Sequence, residues 1–307
     1  MATQKDVKDR IDSVKNIEKI TRAMEMVAAA RLRRAEQRIE VLRPYAQAIR
    51  RMTRQAAEAA GDVPDLPILK EHPEVKTVGI LLIAGDRGLA GAFNSTVVRA
   101  GTRAGREHER EGRNPVYFAS GRRPASSLVF RGLEVADSFA GFTDRPAYAD
   151  ARRIAERLMA AYIDEEVDQV EIFYNEYHSA VSQSLKRETL LPLQKASVLE
   201  EEEEDSEREG EDKDDRERDK RALVEYEPDP EAILKRLVPD YVEVSIFRAL
   251  LESTASEHGS RMTAMRNASD NAGQLIQDLT LEMNRARQAE ITQEIMEVVA
   301  GAEGLAG

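Results

Sequence analysis

The sequence predicts an α/β chain with an uneven layout: a long antiparallel coiled coil of the N- and C-terminal helices, plus a central Rossmann-like α/β domain. Three observations predict it. No proline follows Pro239, so a helix starting near Asp240 can run to about Ala300. Apolar or small residues there recur at Met262, Met265, Ala268, Ala272, Leu275, Leu279, Met283 and Ala286, in steps of three and four that make a coiled-coil seam. Between the terminal segments, buried-strand runs alternate with helical ones.

The C-terminal helix would extend roughly 90 Å at ~1.5 Å per residue, longer than an ordinary domain is wide. Such a helix needs a partner, and the N-terminus offers one. Val7, Ile11 and Val14 open a stripe that Ile17, Ile20, Met24 and Val27 continue one residue out of step. Ala28, Leu32, Ala35, Ile39, Leu42, Ala46 and Ile49 carry it onward, so a helix is expected from Gln4 to about Ala57, kinked at Pro44.

Gly61 to Pro67 then breaks the pattern and reads as a linker. Lys76–Ala84 is a continuous apolar run, the kind buried on both faces of a parallel sheet. Helices are expected at Thr96–Glu111, Ser126–Arg131 and Pro146–Ile163, with strands at Pro115–Ala119, Gln169–Tyr174 and Glu188–Leu193. The domains expected are therefore 1–58, 75–195 and 240–302, with an acidic insertion at 196–222.

The formal charge of −12 is local in origin. Residues 200–219 hold fourteen acidic and four basic side chains, leaving only about −2 for the rest of the 307-residue chain. That segment has almost no apolar residues and reads as a solvated loop. The N-terminal helix carries Lys5, Lys8, Arg10, Lys15, Lys19, Arg22, Arg31, Arg33, Arg34 and Arg38. This pattern fits a solvated face or a grip for acidic loops of a protein partner. A nucleic-acid surface would want interleaved aromatics, and none is present.

No cysteine is present, so disulfides, thiol catalysis and cysteine-based zinc sites are excluded. His72, His108, His178 and His258 lack metal-ligand spacing. No apolar run approaches the ~20 residues that span a bilayer, and no signal-peptide pattern opens the chain, so a cytoplasmic protein is expected, without direct membrane insertion. The turn Gly85-Asp86-Arg87-Gly88-Leu89-Ala90-Gly91 follows a strand and leads into a helix, as phosphate loops do. Its spacing matches neither the dinucleotide fingerprint nor a P-loop. Asp86 would oppose a phosphate, so a tight turn with glycines at positive φ is the better reading. No other constellation offers a nucleophile, a paired base or a metal set, and no cofactor is expected.

Three segments, KITRAMEMVAAARLRRA (Lys19–Ala35), DRGLAGAFNS (Asp86–Ser95) and NRARQAEITQEIMEVVAGA (Asn284–Ala302), together resemble the gamma subunit of the bacterial F-type ATP synthase. They fall in that family's order and bracket nearly the whole chain. The resemblance implies a non-catalytic rotor shaft, peripheral to the cytoplasmic face of the bacterial plasma membrane. Its coiled coil would turn inside a ring of alpha and beta subunits, and its α/β foot would dock on the epsilon subunit and the membrane ring of c subunits. Proton flow would drive the rotation. By match to the family motif, Arg287, Gln288, Thr292 and Glu294 are the expected coupling contacts to the catalytic ring, with Arg87 a further one. Met24, Leu275 and Leu279 are expected in the shaft seam. Ala90 stands where the family usually has cysteine. A coiled-coil scaffold or adaptor with an α/β head would share the seams, and a nucleotide-binding enzyme would use the glycine turn.

Overall fold

The structure, a computed structural model, describes residues 4–59, 67–70, 72–193 and 230–306. The expectations placed on the linker after Gly61 and on the acidic insertion lie outside these residues. The chain divides into two compact units, residues 31–260 and residues 1–30 with 261–307. Two helices take part in both: α1 (Gln4–Ala59) and α5 (Pro230–Ala306).

The larger unit is built on a five-stranded sheet in the order β3-β2-β1-β4-β5. Its strands are β1 (Thr77–Ile83), β2 (Asn114–Ser120), β3 (Val135–Phe139), β4 (Gln169–Tyr177) and β5 (Gln183–Leu191). The first four pair in parallel, joined through α2 (Phe93–Arg110), α3 (Arg122–Phe130) and α4 (Tyr148–Ile163). Five residues separate β4 from β5, too few for a crossover, so this last pair is an antiparallel hairpin.

β1 shows why its sequence is apolar throughout. Val78, Ile80 and Leu82 point into a layer with Phe93 and Val97 of α2 and Leu128 of α3. Leu81 and Ile83 point to the other layer, among Ile154 and Leu158 of α4 and Val238, Val242 and Ile246 of α5. Each such side chain contributes roughly 1.5–3 kcal/mol when fully buried.

α5 begins at Pro230 and continues through Pro239, ten residues earlier than its expected start. A proline inside a helix costs about 3 kcal/mol. Burial of Leu234, Leu237 and Val238 on that turn outweighs the cost. α1 likewise runs unbroken through Pro44, whose side chain is exposed. β3 escaped sequence reading because it is a short edge strand, with alternate residues exposed and only Val135, Ala136 and Phe139 apolar.

The smaller unit pairs the first part of α1 with the last part of α5. Val7, Ile11 and Val14 form its core with Ala272 and Leu279, and Ile276 and Met283 pack against them. Arg266 Nε donates to Glu25 Oε1 at 2.9 Å. A Cβ at Gly273 would stand 4.0 Å from Glu18 Oε1. Higher numbers on α1 therefore meet lower numbers on α5, and the two helices run antiparallel.

Candidate functional site

In the smaller unit, buried positions of α1 fall at Val7, Ile11, Val14, Thr21 and Ala28, with Glu18 and Glu25 half-buried between them. This is one unbroken three–four spacing. The apparent slip at Ile17, Ile20 and Val27 is not a slip of the seam. Those side chains are 53%, 58% and 53% exposed and lie on the outside. Polar residues fill the seam there: Thr21 Oγ1 satisfies itself on Glu18 O at 3.0 Å, and Glu25 takes Arg266. Glu18, Arg22, Glu25, Arg266, Asp270 and Gln274 line an open polar groove beside it.

Of the expected seam residues, Leu279 is buried at 4% and Met24 is half-buried. Leu275 is 39% exposed, and its neighbour Ile276 packs on the core instead. One residue of helix rotates a side chain by about 100°, enough to exchange the two positions.

Arg287, Gln288, Thr292 and Glu294 lie together on the last turns of α5, all exposed. Thr292 Oγ1 donates to Gln288 O at 2.8 Å, which ties two of the four to one turn. Around them Ile291, Ile295, Met296, Val298 and Val299 are also exposed, between 44% and 71%. The α1 residue nearest this level is Gln4, the first described. An apolar helix end left open to water loses roughly 25 cal/mol for every Å2 of apolar surface it fails to bury, which marks a surface made for a partner. Sequence reading missed the second such surface, the outer stripe of Ile17, Ile20 and Val27 with Met26. It was legible as apolar residues at helical spacing but was assigned to the seam.

Arg87 belongs to the larger unit, far in sequence from the α5 set. It is 70% exposed and stands 3.6 Å from Asp144 Oδ2, the oxygen that also accepts from Arg31 Nη1 at 2.7 Å. Asp144 thus joins the turn to the basic cluster on α1. The pair with Arg87 is exposed and contributes little stability.

The turn itself is held by its own side chains. Asn94 Oδ1 accepts from Gly85 N at 2.8 Å, while its Nδ2 donates to Arg87 O at 3.0 Å. Asp86 accepts from Arg122 N at 3.0 Å, from Gly141 N at 2.9 Å and from Thr143 Oγ1 at 3.1 Å. Backbone amides that could greet a phosphate therefore face a built-in carboxylate. Positive φ falls on Leu89 (62°) and Gly91 (55°), and not on Gly85 or Gly88. Gly85 allows the Glu257 carboxylate to come close: a Cβ there would stand 2.8 Å from its carboxyl carbon, and the glutamate would have to shift. Ala90 is buried beneath the turn.

The histidines are engaged locally. His72 Nδ1 lies 2.7 Å from Asp168 and His178 Nε2 lies 2.7 Å from Ser184 Oγ. His108 Nε2 is 3.3 Å from Glu171, which Arg187 also grips at 2.9 Å. Among the described residues no group of three metal-ligating side chains is assembled, and no helix is long and apolar enough to cross a membrane.

Comparison with known proteins agrees with this geometry. The family described as ATP synthase matches residues 3–305. The ATP synthase gamma chain of Rubrobacter xylanophilus is 41% identical over 306 residues, covering 100% of this chain and 99% of that one. The gamma chain of Mycolicibacterium smegmatis is 38% identical over 320 residues, covering 100% and 99%. Among solved structures, a chain from the central stalk and c-ring of Tetrahymena thermophila mitochondrial ATP synthase is similar, with TM-score 0.59 and 25% identity, covering 81% of this chain and 99% of that one. A chain of the Euglena gracilis mitochondrial enzyme shares the fold, with TM-score 0.66 and 20% identity, covering 98% and 94%. With relatives this similar along their full length, the chain belongs to the ATP synthase gamma-chain family and is the central rotor shaft of an ATP synthase.

Proposed function

We propose that the chain is the non-catalytic shaft of a proton-driven F-type enzyme, turning within a ring of alpha and beta subunits. Its α/β unit docks on the epsilon subunit and on the membrane ring of c subunits. It reaches the cytoplasmic face of the membrane through those partners. Arg287, Gln288, Thr292 and Glu294 carry the polar contacts to the catalytic ring, and Arg87 adds one from the larger unit.

The observation that supports this reading best is the exposed apolar end of α5. A shaft that turns against its housing gains from a surface without ion pairs, because each ion pair would have to break at every step. Swinging a two-state catalytic site from 1:99 to 99:1 takes about 5.5 kcal/mol of differential interaction. Only an asymmetric shaft can deliver it to one site at a time. A lone helix end, apolar on several sides and carrying one polar cluster, is asymmetric about its axis.

The absence of cysteine makes a direct test clean. Val298→Cys, carried in whole membranes and treated with a short thiol-reactive crosslinker, should join the chain to alpha or beta subunits. It should also stall ATP hydrolysis. Crosslinks only to a second copy of this chain would favour the scaffold reading instead.

A further inference from the structure

The outer face of α2 holds a concentration of positive charge. Arg99, Arg103, Arg106 and Arg110 follow one another at steps of four, three and four, so they stand on one side of the helix. Arg131, just past the end of α3, faces them, and together they line a cavity of about 440 Å3. Among the described residues one carboxylate borders it, Glu107, which already receives Arg187 at 3.4 Å. Among the described residues, none of the five arginines has a carboxylate within ion-pair distance.

Such a stripe is unfavourable alone. Like charges one turn apart cost about 0.2–0.5 kcal/mol per pair on a helix. α2 is also seated too firmly to relieve the repulsion by moving. A Cβ at Gly101 would collide with Leu82, and one at Gly105 with the Tyr117 hydroxyl, so both glycines bring the helix down onto the sheet. The helix that carries the guanidiniums is therefore a rigid base, which fixes the spacing of their attachment points.

The chemistry of the lining narrows the occupant. The remaining lining residue is Thr102, so no apolar side chain is present to form the dry core that a protein partner would fill. No aromatic is present to stack on a base. Guanidinium groups recognise phosphate oxygens in paired, planar fashion. The stripe spans about 16 Å at 1.5 Å per residue, more than a single phosphate can bridge. We propose that this cavity is a binding site for a soluble oligophosphate, a linear anion of three or more phosphates. Apart from residues 200–219 the chain is close to neutral, so attraction for an anion must come from this local cluster and not from the field of the whole molecule.

The test uses the purified full-length chain and sodium tripolyphosphate, titrated by calorimetry at 0.15 M salt. One saturable site per chain is expected. Arg103→Gln with Arg106→Gln should weaken it at least tenfold, while Lys5→Gln with Lys8→Gln, equal in charge change but on α1, should leave it within twofold. Thermal unfolding separates binding from structure, because relieving like-charge repulsion should leave the arginine variant as stable as the parent, or more so. Absence of saturable heat overturns the proposal. So does equal weakening by both variants, a lowered unfolding midpoint that accounts for the loss, or binding confined to phosphatidylglycerol vesicles or to polyglutamate.

Discussion

Asp86 Oδ2 accepts the backbone amide of Gly141 at 2.9 Å, while Oδ1 of the same carboxylate accepts Arg122 N at 3.0 Å. One side chain from the turn after β1 therefore fixes the start of α3 and the loop after β3. Asp86→Ala leaves both amides without that acceptor and should lower stability by about 1–3 kcal/mol. Asp86→Asn keeps an acceptor without the charge and should recover part of it. Thermal midpoints of the three proteins decide this. Any nucleotide affinity should be identical in all three. A micromolar site lost on substituting Asp86 or Gly88 would restore the phosphate-loop reading.

Gly121 and Gly112 both sit at positive φ, 107° and 79°, but only one is crowded. A Cβ at Gly121 would collide with the Ala84 carbonyl oxygen, whereas Gly112 has open space around it. Gly112→Ala should cost about 1 kcal/mol from backbone strain alone. Gly121→Ala adds a collision with backbone and should cost 3 kcal/mol or more, as a roughly estimated sum of strain and displacement. Denaturant midpoints of the two variants should differ in that order, and equal loss would contradict the close packing of β1 on the start of α3.

Glu252 lies one turn after Arg248 on α5, with Oε2 buried and lacking a hydrogen bond. Burial pushes its carboxyl up to about 7; Glu176 and Glu188 add to the shift, and Arg248 and Lys186 oppose it. Burial also raises the Tyr174 phenol beside it. The folded value lies above the unfolded one, so the folded state holds a proton the unfolded chain has lost. The resulting stability is complete below about pH 4.5 and fades as pH rises through about 7. Glu252→Gln keeps the neutral shape at every pH. It should gain on the parent between pH 5 and pH 8 by an amount on the order of 2–3 kcal/mol. Unfolding midpoints that move in parallel at both pH values would contradict this.

Met24 is half-buried at the edge of the polar part of the seam, next to Glu25 and its Arg266. Met24→Lys can lift its ammonium toward water, so the hairpin should form with a loss of about 1–2 kcal/mol or less. The charge then stands beside the exposed apolar stripe of Ile17, Ile20 and Val27, and if that stripe faces the catalytic ring it adds an attraction that rotation must break. Membranes carrying this variant should hydrolyse ATP but acidify vesicles poorly, while Met24→Leu should be nearly silent. An unchanged ratio of the two activities would remove Met24 from the coupling surface.

Much of this was legible because periodicity reports burial directly. The β1 run, the stripe from Val7 to Val14 and Leu279 all sit where their spacing puts them. The failures share a cause: burial by a neighbour can override what a residue's type suggests. Thr21 lies in the seam because its hydroxyl is satisfied on Glu18, while the more apolar Ile20 lies outside. Leu275 and Ile276 are equally apolar, and only the phase of the partner helix chooses between them. Pro239 reads as a boundary until the core around Val238 is known. At the glycine turn the motif was visible, but that Asp86 fills the anion's place required Gly141 and Thr143, more than fifty residues away.

The end of α5 has a mechanical consequence. Where α1 lies alongside, twisting one helix shears the Val7–Met283 interface, so the pair resists torque as a body. Beyond Gln4 no second helix shares the load among the described residues, and the helix there can wind and unwind by small changes spread over its own hydrogen bonds. The tip is thus the compliant part of the smaller unit. An angular lag between shaft and housing would gather there as elastic twist and be given back when a catalytic site yields.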